Sequence, residues 1–236
     1  MANILIVLTS HSKLGKTGRE TGFYFDEMAA PYWALTDAGH EVVIASIAGG
    51  PAVHDPGSVK ADPVEQPEAV RRFLADPTAM SKLSNTPAVG DVDPAAYDAV
   101  FLPGGHGTMW DFAQTPALGA LVSKVHASGG VVGAVCHGPA GLLGATKPDG
   151  TPLVSGLRVN AFTNAEEEAV GLTDAMPFLL ETRLQEQGAL FEGTENFRLH
   201  AVSDGRLVTG QNPASAPAVA ALLVEALDGR SAFAAA

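Results

Sequence analysis

Ile4-Leu-Ile-Val-Leu8 is a run of five apolar residues with no polar break. A strand with that pattern has no solvent face, as in a parallel strand covered by helices on both sides. Further strands are expected at Glu41 to Ser46, Tyr97 to Leu102 and Gly130 to Val135. Between them lie helical stretches. Phe25, Met28, Ala29 and Tyr32 recur at i, i+3, i+4 and i+7 within a helix predicted from about Gly22 to Ala38, and another is predicted from Pro116 to Ala127. Strands alternating with helices predict an α/β fold, a three-layer sandwich with a parallel-rich central sheet.

The chain's 236 residues suit one such domain. Residues 48–96 interrupt the pattern. They are rich in Pro, Asp and Gly with one short helical candidate from Pro67 to Leu74, and read as an excursion over the surface. Past the fourth strand, Leu157 to Phe162 is a further strand candidate, and Met176 to Gln187 is an amphipathic helix closed by Gly188. Leu199 to Ser203 and Arg206 to Thr209 form an expected hairpin turning at Asp204-Gly205. Ala214 to Leu227 is the last expected helix.

With 14 Lys and Arg against 26 Asp and Glu, the net charge is −12, which repels phosphate backbones and anionic membranes. No apolar run reaches 18 residues, and the first residues read as a strand and not as a signal peptide, so a cytoplasmic protein is expected. A single cysteine rules out an intramolecular disulfide and Cys-rich zinc sites. His11, His54, His106 and His126 sit at no recognised ligand spacing, so no metal is expected.

That cysteine, Cys136, directly follows the Gly130–Val135 strand and precedes His137-Gly-Pro139. A strand turning at once into a helix is a nucleophile elbow: the side chain stands on a strained turn, and the next backbone N–H faces any oxyanion. A nearby helix N-terminus is expected to lower the thiol pKa. The bland alternative is a buried cysteine with glycines for close packing. Three segments at the carboxyl ends of strands favour the nucleophile: Cys136-His137, Pro103-Gly-Gly-His106-Gly, and Glu27 after the first strand. His137 supplies a backbone donor, although its ring could point away from the thiol. Gly104 and Gly105 are candidates for a second donor, and His106 for a substrate contact. Glu27 lies among aromatic residues four positions before Pro31, whose ring kinks the helix at the Glu27 carbonyl; it is either a helix-terminal acid or a desolvated proton shuttle. Of Glu166, Glu167 and Glu168, which open a helix capped by Thr163 or Asn164, one could orient His137.

Thr21-Gly22 with Glu27, Asp37-Ala-Gly-His-Glu-Val42, Leu102-Pro-Gly-Gly-His-Gly-Thr108, Ala134-Val-Cys-His-Gly-Pro139, Phe162-Thr-Asn-Ala-Glu-Glu167 and Val208-Thr-Gly-Gln-Asn-Pro-Ala-Ser215 occur in that order. In these segments the chain resembles the ThiJ/PfpI superfamily, and within it the glutathione-independent, glyoxalase III-type stress proteins. The resemblance implies a flavodoxin-like homodimer with Cys136 as nucleophile, His137 beside it, Glu167 (or Glu166, one residue away) as third member and Glu27 as shuttle. It implies conversion of methylglyoxal or a related small 2-oxoaldehyde to lactate without metal, glutathione or nicotinamide cofactor. Class I glutamine amidotransferases share the elbow but need a downstream His-x-Glu, whereas here Ala201 and Val202 follow His200. A redox sensor, holding chaperone, deglycase or peptidase of the same superfamily are the remaining alternatives.

Overall fold

The computed structural model describes the backbone of residues 1–234 and side chains through residue 229. Strands β1 (Asn3–Leu8), β2 (Glu41–Ser46), β3 (Ala99–Leu102), β4 (Val131–Val135), β7 (Ala201–Asp204) and β8 (Leu207–Gly210) form one sheet in the order β2-β1-β3-β4-β8-β7. All neighbours pair in parallel except β7, which closes the edge antiparallel to β8. The five parallel strands follow the flavodoxin-like order, and its switch point falls between β1 and β3, where ligands collect outside the strand ends.

Alternate residues of the sheet feed two cores. Ile4, Ile6, Leu8, Phe101 and Val208 pack with α1 (Phe25–Asp37) and α8 (Ala216–Ala234). Leu5, Val7, Val100, Leu102 and Val132 pack on the other face with α5 (Pro116–Ala127) and α7 (Leu180–Glu186). Helix, sheet and helix make the three layers expected. The first helix starts at Phe25 and not at Gly22, because Thr21 to Tyr24 is extended backbone: Phe23 N–H donates to Val53 O, and Tyr24 N–H to Gly104 O.

Residues 48–96 are more than a surface excursion. They hold α2 (Glu68–Ala75), near the predicted position, and α3 (Pro77–Ser84), which was not predicted. Val70, Phe73, Ala79 and Leu83 bury their side chains in the α1 face of the core. Asp76 caps α3 through the N–H groups of Thr78 and Ala79, with Pro77 at the first helical position. The Asp-Pro step carried that signal. Elsewhere the elements are shorter or shifted. The strand expected at Leu157–Phe162 reduces to β5 (Arg158–Val159), paired with β6 (Leu190–Phe191) in a separate two-stranded sheet. The hairpin turns on Gly205-Arg206 with Gly205 at φ +60°, a glycine-first turn one residue later than expected. Two short helices, α4 (Thr108–Asp111) and α6 (Asn164–Ala169), complete the chain.

After β4 the chain passes Cys136 and His137 into a five-residue 3₁₀ turn, Gly138–Leu142, where an α-helix was anticipated. Gly138 lies so close to β3 that a β-carbon there would overlap the Leu102 carbonyl oxygen. Gly138→Ala is expected to destabilise the fold by roughly 1–3 kcal/mol, the usual cost of overpacking a tight site. The midpoint and slope of a urea transition measure it; an unchanged midpoint would show that the turn yields freely.

Candidate active site

Cys136 adopts φ +59°, a left-handed conformation that L-residues with a side chain avoid. Two backbone hydrogen bonds hold it there. Its N–H donates to Gly210 O at the end of β8 (2.9 Å), and its carbonyl accepts from Phe162 N–H (2.8 Å). The thiol is thereby turned into the crevice above β1, β3 and β4, where Glu27 and the Gly104-Gly105 loop also arrive. Gly105, at φ +103°, packs its Cα against the backbone of Gly22 to Tyr24, leaving no room for a side chain. The N–H groups of Gly105 and His137 both point at the sulfur. The Gly104 N–H does not. It donates to Glu27 Oε2 at 2.8 Å, which removes Gly104 from the set of free donors and makes it the anchor of the carboxyl.

The His137 ring, which could have turned away, faces the thiol, with Nδ1 at 3.3 Å from Sγ. Its Nε2 lies 2.8 Å from Glu167 Oε2. Burial works against the Glu167 anion, but hydrogen bonds from His106 and His137 outweigh it and bring its pKa down to about 2. An ionised carboxylate only accepts, so His137 carries its proton on Nε2. Burial and the neighbouring His106 lower the pKa of His137 and keep the ring neutral. Nδ1 therefore presents a lone pair to the sulfur, the arrangement of a general base oriented by an acid.

His106 sits on the far side of Glu167, with Nε2 3.1 Å from Oε1 and its ring 4.2 Å from that of His137. It braces the acid, and with a fifth of its side chain exposed it borders the opening as well. Sequence spacing gave no hint of a metal cluster, yet the potential ligand atoms of His106, His137 and Glu167 lie within 4.8 Å of one another. Their mutual hydrogen bonds use those same atoms.

Of the three consecutive acids, Glu167 meets the imidazoles and Glu166 turns the other way. Glu166 completes a capping box with Thr163. It also accepts from the Phe197 N–H, Gln211 Nε2 and Asn212 Nδ2. Fully buried, it ties α6 to the segment after β8 and to the loop before β7. Gln211 and Asn212 stand within the Val208–Ser215 segment quoted above, which assigned them no role, and Phe197 stands in none of the segments. Two amides directly after an apolar strand were the available signal for the first two.

The thiol departs from expectation. Burial, then the negative charge and hydrogen bond of Glu27, push the Cys136 pKa well above its ordinary value. The sulfur is nearly inaccessible, and the brief 3₁₀ turn behind it does not offset desolvation. Burial likewise raises Glu27 to about 8, so both groups rest protonated at neutral pH, and Glu27 Oε1 has no nitrogen or oxygen partner.

An α/β sandwich of this strand order, with a left-handed cysteine at the switch-point edge backed by imidazole and carboxylate, defines a class of elbow proteins. The chain belongs to the DJ-1/PfpI family, whose profile matches residues 21–226. It is 32% identical over 238 residues to Glyoxalase 3 of Candida albicans, covering 97% of this chain and 99% of that protein. It is 30% identical over 231 residues to the glutathione-independent glyoxalase HSP31 of Saccharomyces cerevisiae, covering 95% and 97%. Among solved structures it is similar to the Rapid Encystment Protein 24 kDa of Francisella tularensis (TM-score 0.91, 36% identity, 96% and 99% covered). It is similar as well to glyoxalase III of Candida albicans (TM-score 0.88, 32% identity, 95% and 97% covered).

Glu27 has a measurable consequence for stability. Between its ordinary value of 4.5 and about 8, the folded chain keeps a proton on Glu27 that the unfolded chain has released. Stability therefore falls as pH rises through that window, by up to about 1.4 kcal/mol per unit. Glu27→Gln, neutral throughout, is expected to flatten the slope. Denaturant midpoints at pH 5, 6, 7 and 8 compare the two proteins; parallel curves would assign the dependence to other groups.

Proposed function

We propose that this chain is a glutathione-independent glyoxalase that converts methylglyoxal and related 2-oxoaldehydes to 2-hydroxy acids. The observation that carries the reading is the continuous chain of contacts from Glu167 through His137 to Cys136, with a protonated Glu27 on the other side of the sulfur. Near full-length likeness to relatives named glyoxalases supports the substrate class.

A thiol with a raised pKa is activated during attack, not before it. His137 Nδ1 takes the thiol proton as sulfur adds to the aldehyde carbon, and Glu167 stabilises the imidazolium that forms. Glu27 gives its proton to the aldehyde oxygen, which develops charge between the Gly105 and His137 N–H groups. The product is a neutral hemithioacetal, and Glu27 is left as a carboxylate. That carboxylate removes the C1 proton while the imidazolium protonates the C2 oxygen, giving an enediol. Glu27 returns its proton to C2 and His137 takes one from the C1 hydroxyl, leaving a thioester. Water, deprotonated by Glu27, hydrolyses it; the departing sulfur recovers its proton from His137 and the hydroxy acid is released. Every proton moves between the same two residues, so the cycle closes without an external acid or base.

Cys136→Ala is expected to lower conversion of methylglyoxal by at least ~10³-fold with the fold intact. Lactate formation and circular dichroism report the two; retained turnover in a folded variant removes Cys136 from the mechanism. A holding chaperone would keep its activity in that variant.

Glu27→Gln, whose amide can still hydrogen-bond the aldehyde oxygen while the imidazolium supplies its proton, is expected to form the hemithioacetal and stall before the enediol, at a cost of ~10²–10⁴-fold in turnover. Mass spectrometry of the trapped enzyme and solvent deuterium at C2 of the product follow the two stages. Near-normal turnover would make His137 the base for the C–H proton.

The cycle uses neither metal nor glutathione. Turnover is expected to survive dialysis against a strong chelator with no thiol added; loss of activity restored by zinc would assign the His106, His137 and Glu167 cluster a metal-binding role.

A further inference from the structure

Among the described residues, two with side chains adopt a left-handed φ: Cys136 and Phe197, both at +59°. The first is explained by the elbow. The second sits in a turn, where Arg198 N–H donates to Glu195 O at 3.2 Å and Phe197 occupies the third position. Turns with a positive φ there ordinarily use glycine or asparagine, and Asn196 is one residue too early to serve. A bulky aromatic in that place is strained, and it persists because the surroundings fix it. Its N–H donates to the buried Glu166 carboxylate at 2.7 Å, and Asn196 Nδ2 donates to Ala165 O at 3.3 Å. The strain therefore holds a ring at one place beside α6. That place is not the core: Phe197 is 48% exposed.

The ring continues an aromatic series that starts at the reacting atoms. His137, 3.3 Å from the sulfur, lies 4.5 Å ring to ring from Phe162, and Phe162 lies 6.3 Å from Phe197. Exposure rises along it, from 5% at Phe162 to 48% at Phe197, so the series runs from the closed end of the site to solvent. Glu27, fully buried and held by the Gly104 N–H, also packs against the sulfur and closes that approach to it. A carbonyl compound whose oxygen sits between the Gly105 and His137 N–H groups must extend its substituent toward the open side.

We infer that Phe162 and Phe197 form the wall against which the substituent of the carbonyl substrate lies, with Phe197 as the specificity-determining residue that favours aryl over methyl. A phenyl group extends further from the carbonyl than a methyl group, toward the exposed end of the series where Phe197 stands. Contact between aromatic rings favours the larger substrate beyond its buried area alone. The inference rests on the glyoxalase reading for its natural substrate, but the wall is a property of the site and is tested with and without turnover.

The test pairs an aryl and a methyl reagent in two assays. The first measures kcat and KM for phenylglyoxal and methylglyoxal. The second measures the rate at which phenacyl bromide and bromoacetone alkylate Cys136, where sulfur displaces bromide and the thiol proton is lost to solvent. Phe197→Leu, Phe197→Ala and Phe197→Gly are compared with wild type; glycine suits the left-handed turn and guards against a folding defect. Both small variants are expected to raise KM for phenylglyoxal about 3- to 10-fold, leave methylglyoxal within about 2-fold, and leave kcat unchanged for both. The aryl preference in alkylation should fall by a similar factor, with Phe197→Leu intermediate. Equal effects on the aryl and methyl reagents, or none, in the alkylation assay would overturn the wall. Absence of turnover in wild type together with a shifted alkylation preference would overturn the glyoxalase reading and leave the wall standing.

Discussion

The left-handed backbone of Cys136 is the constraint on which the rest of the site depends. Two backbone hydrogen bonds, to Gly210 at one side and from Phe162 at the other, compel it. They fix where β8 must lie and where the chain entering α6 must pass, and so where Glu167 can reach His137. The glycines follow from the same demand. Gly105 and Gly138 bring β3's loop and the elbow close enough for two N–H groups to converge on one sulfur. In that sense the geometry of the site is a consequence of sheet closure at the β4–β8 pair, and Thr108, whose hydroxyl bonds the Gly105 and His137 carbonyls, locks the two loops together.

Two adjacent glutamates show how a helix start divides labour. The first turn of α6 places Glu166 and Glu167 on different sides of the chain. Glu166 faces inward to five donor groups drawn from Thr163, Phe197, Gln211 and Asn212, and serves as a structural acceptor. Glu167 faces the crevice and orients two imidazoles. Removing the carboxyl of Glu166 would leave buried amides without their acceptor, a cost that falls on the loop carrying Phe197 as well as on the helix carrying Glu167.

The sheet was legible in the sequence because strands buried on both faces announce themselves as unbroken apolar runs. The elbow was legible because it joins such a run to a glycine-rich turn. Helix α3 is hard to read from sequence because its capping signal, Asp76-Pro77, stands among other Pro and Asp residues. The choice between Glu166 and Glu167 turned on which face of a two-residue step points inward, a matter of tertiary packing. The thiol's raised pKa was misjudged for a related reason: a local rule about helix N-termini ignores desolvation, and the sulfur is buried against a carboxyl 109 positions away in the chain. Phe197 left no trace, since a strained turn residue is visible only once φ is known.

The parallel pairing of β4 with β8, a strand from far along the chain, carries a temporal consequence. Gly210, which accepts the Cys136 N–H, is made long after Cys136 itself, roughly 4–15 s later at translation rates of about 5–20 residues per second. A nascent chain that has already paired β1, β2, β3 and β4 still lacks the acceptor that bends its cysteine into shape. Its thiol in that interval belongs to an ordinary strand end, without Glu167 to orient the imidazole beside it. The oriented base that takes the thiol proton thus arrives with the later part of the chain, and until the sheet is complete Cys136 is an ordinary cysteine, spared the burial that later raises its pKa.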